Sequence, residues 1–142
     1  MKTILVPIDI SEEKASAAAL RLGRDMAKMY GGKLVLLNVV EQVPGYVVAQ
    51  LPEDFHRGAL ADARARLKAM AQEHGLDETA DVVVREGHAP TEILAFAEDI
   101  EADMIVVASH TPGLVDYLLG SVAARVVRHA QCSVLVARNF EG

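Results

Sequence analysis

The run Lys33 to Val40, KLVLLNVV, is almost unbroken in its apolar character. A strand with one wet face alternates apolar and polar residues, so a run without alternation suits a central parallel strand covered on both faces. Parallel neighbours can be joined only through long crossovers, normally helices, and that requirement constrains the rest of the chain. Four further apolar runs supply partners: Thr3 to Ile8, Asp81 to Glu86, Met104 to Val107 and Ser133 to Ala137. In the first of them Pro7 stands near the end, where one ladder donor can be spared.

Helical patterns separate these runs. Ser11, followed by Glu13 and Lys14, begins a long amphipathic helix that carries Ala15, Ala18, Ala19, Leu22, Met26 and Met29 close to one face, and Gly31-Gly32 closes it. Glu41 to Pro52 contains Pro44, Gly45 and Pro52 and reads as a surface loop; Glu53 to His74 is a second helix ended by Gly75. A third helix runs from Thr91 to Ile100 with Pro90 in its first turn, and a fourth from Ser121 to His129.

Strand and helix thus alternate from end to end, which predicts an α/β fold with right-handed crossovers and helices on both faces of a parallel sheet. The expected architecture is a Rossmann-like open five-stranded sheet of order 3-2-1-4-5, with ligands bound in the crevice between strands 1 and 4. At 142 residues, half of them apolar, the chain suits one domain, residues 1–142.

The formal charge of −6 argues against nucleic acid or anionic membrane as a partner, since clustered Lys and Arg hold both. Cys132 is the only cysteine, so no internal disulfide forms, and a reduced, cytoplasmic location is the expectation. No run reaches membrane-spanning length, and the start, MKTILVPID, enters a strand pattern without the features of a leader.

The switch-point topology directs attention to Asp9, at the end of strand 1, and to Ala108-Ser109, at the end of strand 4. A loop then leads to Gly120-Ser121 at a helix start, where free amides and the helix dipole favour an anion such as phosphate. Glycine allows close backbone approach, the Ser121 hydroxyl can donate, and the Ser121 and Val122 amides point outward. Ser121 as an ordinary N-cap is the structural alternative. Asp9 is either a turn former or an acceptor for base, ribose or a metal-bound water, while His110 is either solvated or a phosphate donor.

His129 suits a helix C-terminus electrostatically, and His56, His74 and His88 show no metal-ligand spacing, so no protein-held metal is expected. The chain lacks the P-loop, the dinucleotide fingerprint, the zincin motif and the nucleophile elbow. Asp116 is the sole carboxylate near the loop able to activate water, so any ATPase activity should be slow and no catalytic residue is assigned.

Four blocks in order, TILVPIDIS, LLNVV, EGHAPTEIL and LLGSVAARVVRHAQCSVLVAR, resemble the universal stress protein family over essentially the whole chain. One branch of that family binds ATP through a G-x2-G-x9-G-[S/T] loop. Here the loop reads Ala108-Ser109-His110-Thr111, eight residues, then Gly120-Ser121, so both leading glycines are replaced and the loop is one residue shorter. This form resembles a subgroup of small single-domain bacterial members, with an ASH or GSH start followed by x-P and then LLGS, that can still carry ATP.

The resemblance implies ATP with Mg2+ as ligand. It places Pro7, Ile8 and Asp9 on the base and ribose side and Val39 against adenine. Ala108, Ser109 and His110 then contact ribose or α-phosphate, and Gly120, Ser121 and Val122 hold the phosphates. It also implies a homodimer through the last strand, Ser133, Val134, Leu135, Val136 and Ala137, with larger assemblies and an unidentified regulatory protein partner open. Physics agrees on the strand, because an apolar edge leaves backbone groups unpaired. Three functions remain open: an ATP-binding stress-response regulator, a relative that acts through oligomerisation without ATP, and a slow ATPase.

Overall fold

The computed structural model describes residues 2–41, 53–76, 78–109 and 119–138, with backbone alone for 53–57. Five strands, β1 (Thr3–Pro7), β2 (Lys33–Glu41), β3 (Ala80–Gly87), β4 (Met104–Ala108) and β5 (Ser133–Ala137), form one sheet of order β3-β2-β1-β4-β5. All four pairings are parallel. The connecting helices are α1 (Glu13–Tyr30), α2 (Glu53–Glu73), α3 (Ala89–Asp99) and α4 (Ser121–His129). This is the doubly wound sheet that the alternation of patterns predicts.

The apolar runs of β1, β2 and β4 are buried on both faces because successive side chains of a strand point to opposite sides. Ile4, Val6, Leu34, Leu36 and Val106 pack on one side with Ala19 and Leu20 of α1 and Leu67 and Met70 of α2. Leu5, Val35, Leu37, Ile105 and Val107 pack on the other with Ile93 and Phe96 of α3 and Ala123 and Val126 of α4. Gly23 lets α1 lie directly on β1, since a Cβ there would collide with the Val6 side chain.

Element ends differ from the sequence expectation in instructive ways. Helix α1 starts at Glu13, two residues after Ser11, because the Ser11 amide and hydroxyl both donate to Asp9 Oδ1, at 3.0 and 2.6 Å. That local turn withholds Ser11 from capping the helix. Gly31 ends α1 in the left-handed conformation, as its position suggested. Helix α3 begins at Ala89 rather than Thr91, with His88 as N-cap and Pro90 in the first turn, and Ile100 is its C-cap. Strand β1 stops at Pro7, β3 gains a residue at each end, and β2 and β4 each run one residue further than expected; α2 ends at Glu73, one residue early.

The split between β1 and β4 creates the crevice. Strand β1 pairs with β2 through Pro7↔Leu37, but with β4 only through Leu5↔Ile105. The Ile8 amide donates to the Leu37 carbonyl at 2.7 Å, toward β2. Amides alternate sides along a strand, so the residue before it would donate toward β4, and that residue is a proline with no N–H. Pro7 therefore ends the β1–β4 ladder while β4 continues to Ala108.

Candidate functional site

A cavity of about 360 Å³ lies at the C-terminal ends of β1, β2 and β4, the position at which open α/β sheets take ligands. One wall comes from Pro7, Ile8 and Asp9, and another from Val39 and Glu41 of β2. Ala108 of β4 and Gly120, Ser121 and Val122 at the start of α4 close the far side. Eight of the ten residues expected to hold nucleotide thus converge on one cavity, although they are scattered over more than a hundred positions of sequence.

Ser109 does not line this cavity. Its side chain is buried, its amide donates to the Ala137 carbonyl at 2.9 Å, and its carbonyl accepts the Gly120 amide at 2.7 Å. It ties β5 and the start of α4 to the exit of β4. His110, Thr111 and Asp116 lie outside the described residues, as does the 42–52 part of the loop after β2.

Gly120, not Ser121, is the N-cap of α4, and no side chain caps that end. The simplest structural account of Ser121, that it caps its helix, is thereby replaced: Ser121 is the first helical residue and is exposed. Because the Gly120 amide goes to Ser109 and the first helical bond runs from the Ala124 amide to the Gly120 carbonyl, the amides of Ser121, Val122 and Ala123 are the ones left at the helix end, with no acceptor among the described residues. Helix α4 also has no acidic residue in its first turn, whereas α1 has Glu13 and α3 has Glu92. Its dipole is left uncompensated toward the cavity.

The opposite side is acidic. Asp9, Glu12 and Glu41 all border the cavity, so its two ends differ in electrostatic sign. Asp9 Oδ1 is used by Ser11, whereas Oδ2 has no partner among the described residues. Glu41 reaches across from β2 so that its Oε1 accepts the Ala89 amide at the start of α3, at 3.2 Å. An anion therefore belongs at the α4 end, and hydroxyl or amine donors belong at the Asp9 end.

Two buried polar residues fix the geometry and were missed from sequence. Ser16 is 2% exposed; its hydroxyl accepts the Asp9 amide at 3.0 Å and donates to the Asp9 carbonyl at 2.8 Å. Asn38 is 5% exposed, and its Nδ2 donates to the Ile8 carbonyl at 2.8 Å. The signal for Asn38 was present: it is the one polar residue inside LVLLNVV, and a polar group buried at the end of a central strand requires a partner. Ser16 carries no comparable mark among the alanines around it.

No metal-binding group of three His, Cys, Asp or Glu residues occurs among the described residues, and no helix there is long and apolar enough to cross a membrane. Cys132, half-buried between the ends of α3 and α4, has its thiol pushed above its usual range by burial, opposed by a backbone hydrogen bond and helped by nearby Asp103.

Comparison with known proteins agrees with this geometry. The model of the universal stress protein family matches residues 1–138. Universal stress protein G of Salmonella typhimurium is 31% identical over 141 residues, which cover 96% of this chain and 99% of that protein. Among solved structures, the hypothetical protein MJ0577 superimposes with a TM-score of 0.80 at 24% identity, covering 99% of this chain and 98% of that one. A universal stress protein in complex with cAMP superimposes with a TM-score of 0.62 at 23% identity, covering 96% and 95%. With its order of strands, its Pro7-Ile8-Asp9 tip and its Gly120-Ser121 helix start, the chain belongs to the universal stress protein family.

Proposed function

We propose that residues 1–142 act as one cytoplasmic nucleotide-binding domain, a stress-response regulator that holds ATP across the tips of β1 and β4. The single observation that carries this reading is the polarity of the cavity, with uncapped α4 amides at one end and the Asp9 carboxylate at the other. Apolar side chains between them, Pro7, Val39 and Ile93, suit the faces of a purine, and a volume of about 360 Å³ is within the ordinary range for small-molecule sites. A related structure in complex with cAMP supports an adenine nucleotide as the class of ligand.

In this pose the ribose hydroxyls donate to Asp9 and the phosphates meet the Ser121 and Val122 amides. Mg2+ enters on the phosphate oxygens, which are its natural ligands, without a dedicated protein cage. Gly120 contributes by having no side chain, and Ala108 takes the place of a glycine at the β4 tip. The regulatory output is a nucleotide-dependent surface offered to a protein partner, in a homodimer paired through β5.

Denaturing the purified protein and separating released nucleotide by ion-exchange chromatography tests this directly. ATP or ADP in near-stoichiometric amount is expected, as is saturable heat on titrating emptied protein with Mg-ATP. Absence of both leaves oligomerisation without nucleotide as the function, a reading favoured by the non-glycine residues Ala108 and Thr111.

A further inference from the structure

We infer that Arg125 is the residue that recognises the terminal phosphates, so that the site distinguishes ATP from AMP. The inference rests on the nucleotide reading above. Arg125 lies one turn beyond Ser121 on the same face of α4, and helical side chains lean toward the N-terminus of their helix. Its guanidinium Nη1 lies 3.3 Å from Nε2 of His88, the N-cap of α3. His88 immediately precedes Ala89, itself a cavity-lining residue. The contact thus joins the N-cap of α3 to the middle of α4, beside the cavity-lining Ala89.

The pairing is distinct in its partner. Arg24, Lys33 and Arg85 each meet a carboxylate and Arg66 a backbone carbonyl, whereas Arg125 meets an imidazole. Arg125 has no carboxylate among the described residues, and its imidazole partner supplies no negative charge to neutralise it. A cation placed beside an already electropositive helix start adds to the field there instead of offsetting it. Glu41, on the acidic side of the cavity, keeps its charge but directs Oε1 to the Ala89 amide rather than to Arg125. An incoming polyphosphate supplies the missing counter-charge, and the planar guanidinium fork suits phosphate oxygens. The α-phosphate is held by the Ser121 and Val122 amides, and the β- and γ-phosphates extend along the rim to Arg125, which His88 holds in readiness.

Isothermal titration of emptied protein with ATP, ADP and AMP decides the point, using wild type, Arg125→Gln and, as a charge control in the last turn of the same helix, Arg128→Gln. Arg125→Gln should weaken ATP about 10- to 100-fold, as expected for a charge-assisted hydrogen bond, and leave AMP nearly unchanged. Arg128→Gln should keep the wild-type ratio of ATP to AMP affinity. The inference is overturned if Arg125→Gln keeps that ratio, if it weakens ATP and AMP equally, or if Arg128→Gln reproduces its effect. Wild-type protein that binds none of the three would instead remove the nucleotide reading and this inference together, a result distinct from the others.

Discussion

Ser16 and Asp9 hold each other by two reciprocal bonds: the Ser16 hydroxyl accepts the Asp9 amide at 3.0 Å and donates to the Asp9 carbonyl at 2.8 Å. One buried side chain on α1 therefore fixes the backbone at the tip of β1. Ser16→Ala leaves both Asp9 groups without that partner, and the loss expected for such groups is about 1–3 kcal/mol. Urea denaturation should show that decrease, and ATP affinity should fall as well because the Asp9 carboxylate is no longer held in place.

Asn38 ties β2 to β1 through the Ile8 carbonyl. Asn38→Asp keeps the shape but turns a donor toward that carbonyl into a buried charge facing it. The variant should be less stable than Asn38→Ala at pH 7, because an uncompensated buried charge costs more than a lost bond. Below the carboxylate range the acid protonates and can donate again, so the difference between the two variants should shrink in denaturation curves at acid pH.

Gly120→Val places a branched side chain at the N-cap of α4, where the proposed pose brings phosphate. ATP binding measured by calorimetry should fall below detection, while the thermal transition stays within a few degrees of wild type. Sedimentation velocity should give an unchanged oligomeric state, since Gly120 and β5 lie on different elements.

Among the described residues strand β5 pairs only with β4 and so forms one edge of the sheet. Its middle residues are only partly buried, and exposed apolar edges invite pairing with another copy. Val134→Lys should shift the expected dimer to monomer in sedimentation velocity at micromolar protein, with nucleotide binding retained.

Burial raises the Cys132 thiol above its usual range, so the folded protein keeps the proton that the unfolded chain gives up. The sign follows from linkage: this contribution is fully present below the unfolded thiol's range and is lost as pH rises through the folded value. Alkylation by iodoacetamide at pH 8 should be several-fold slower in native than in urea-unfolded protein, and Cys132→Ala should flatten part of the stability loss at alkaline pH.

The strand pattern was legible because burial on both faces removes alternation from a sequence, as in KLVLLNVV, and the helical stretches between such runs compel a parallel sheet. The position of the crevice followed from that topology, and with it the importance of Asp9 and Gly120-Ser121. The exact starts of helices were less legible. Whether Ser11 caps α1 or bonds to Asp9 is a competition between two local hydrogen bonds of similar strength, settled by Ser16 holding the Asp9 backbone from elsewhere.

By itself, then, the sequence determined the class of fold, the order of strands and the end of the sheet at which the cavity opens, since each depends on the period of hydrophobicity and on where Pro and Gly interrupt it. Only the tertiary structure decided which groups face the cavity. It assigned Ser109 to the frame, gave the N-cap to Gly120, split the cavity into an acidic and an electropositive end, and brought Arg125 to His88 across 37 positions of chain. These outcomes depend on contacts between elements remote in sequence, and no local pattern of residues encodes which hydrogen-bond partner a folded neighbour will supply.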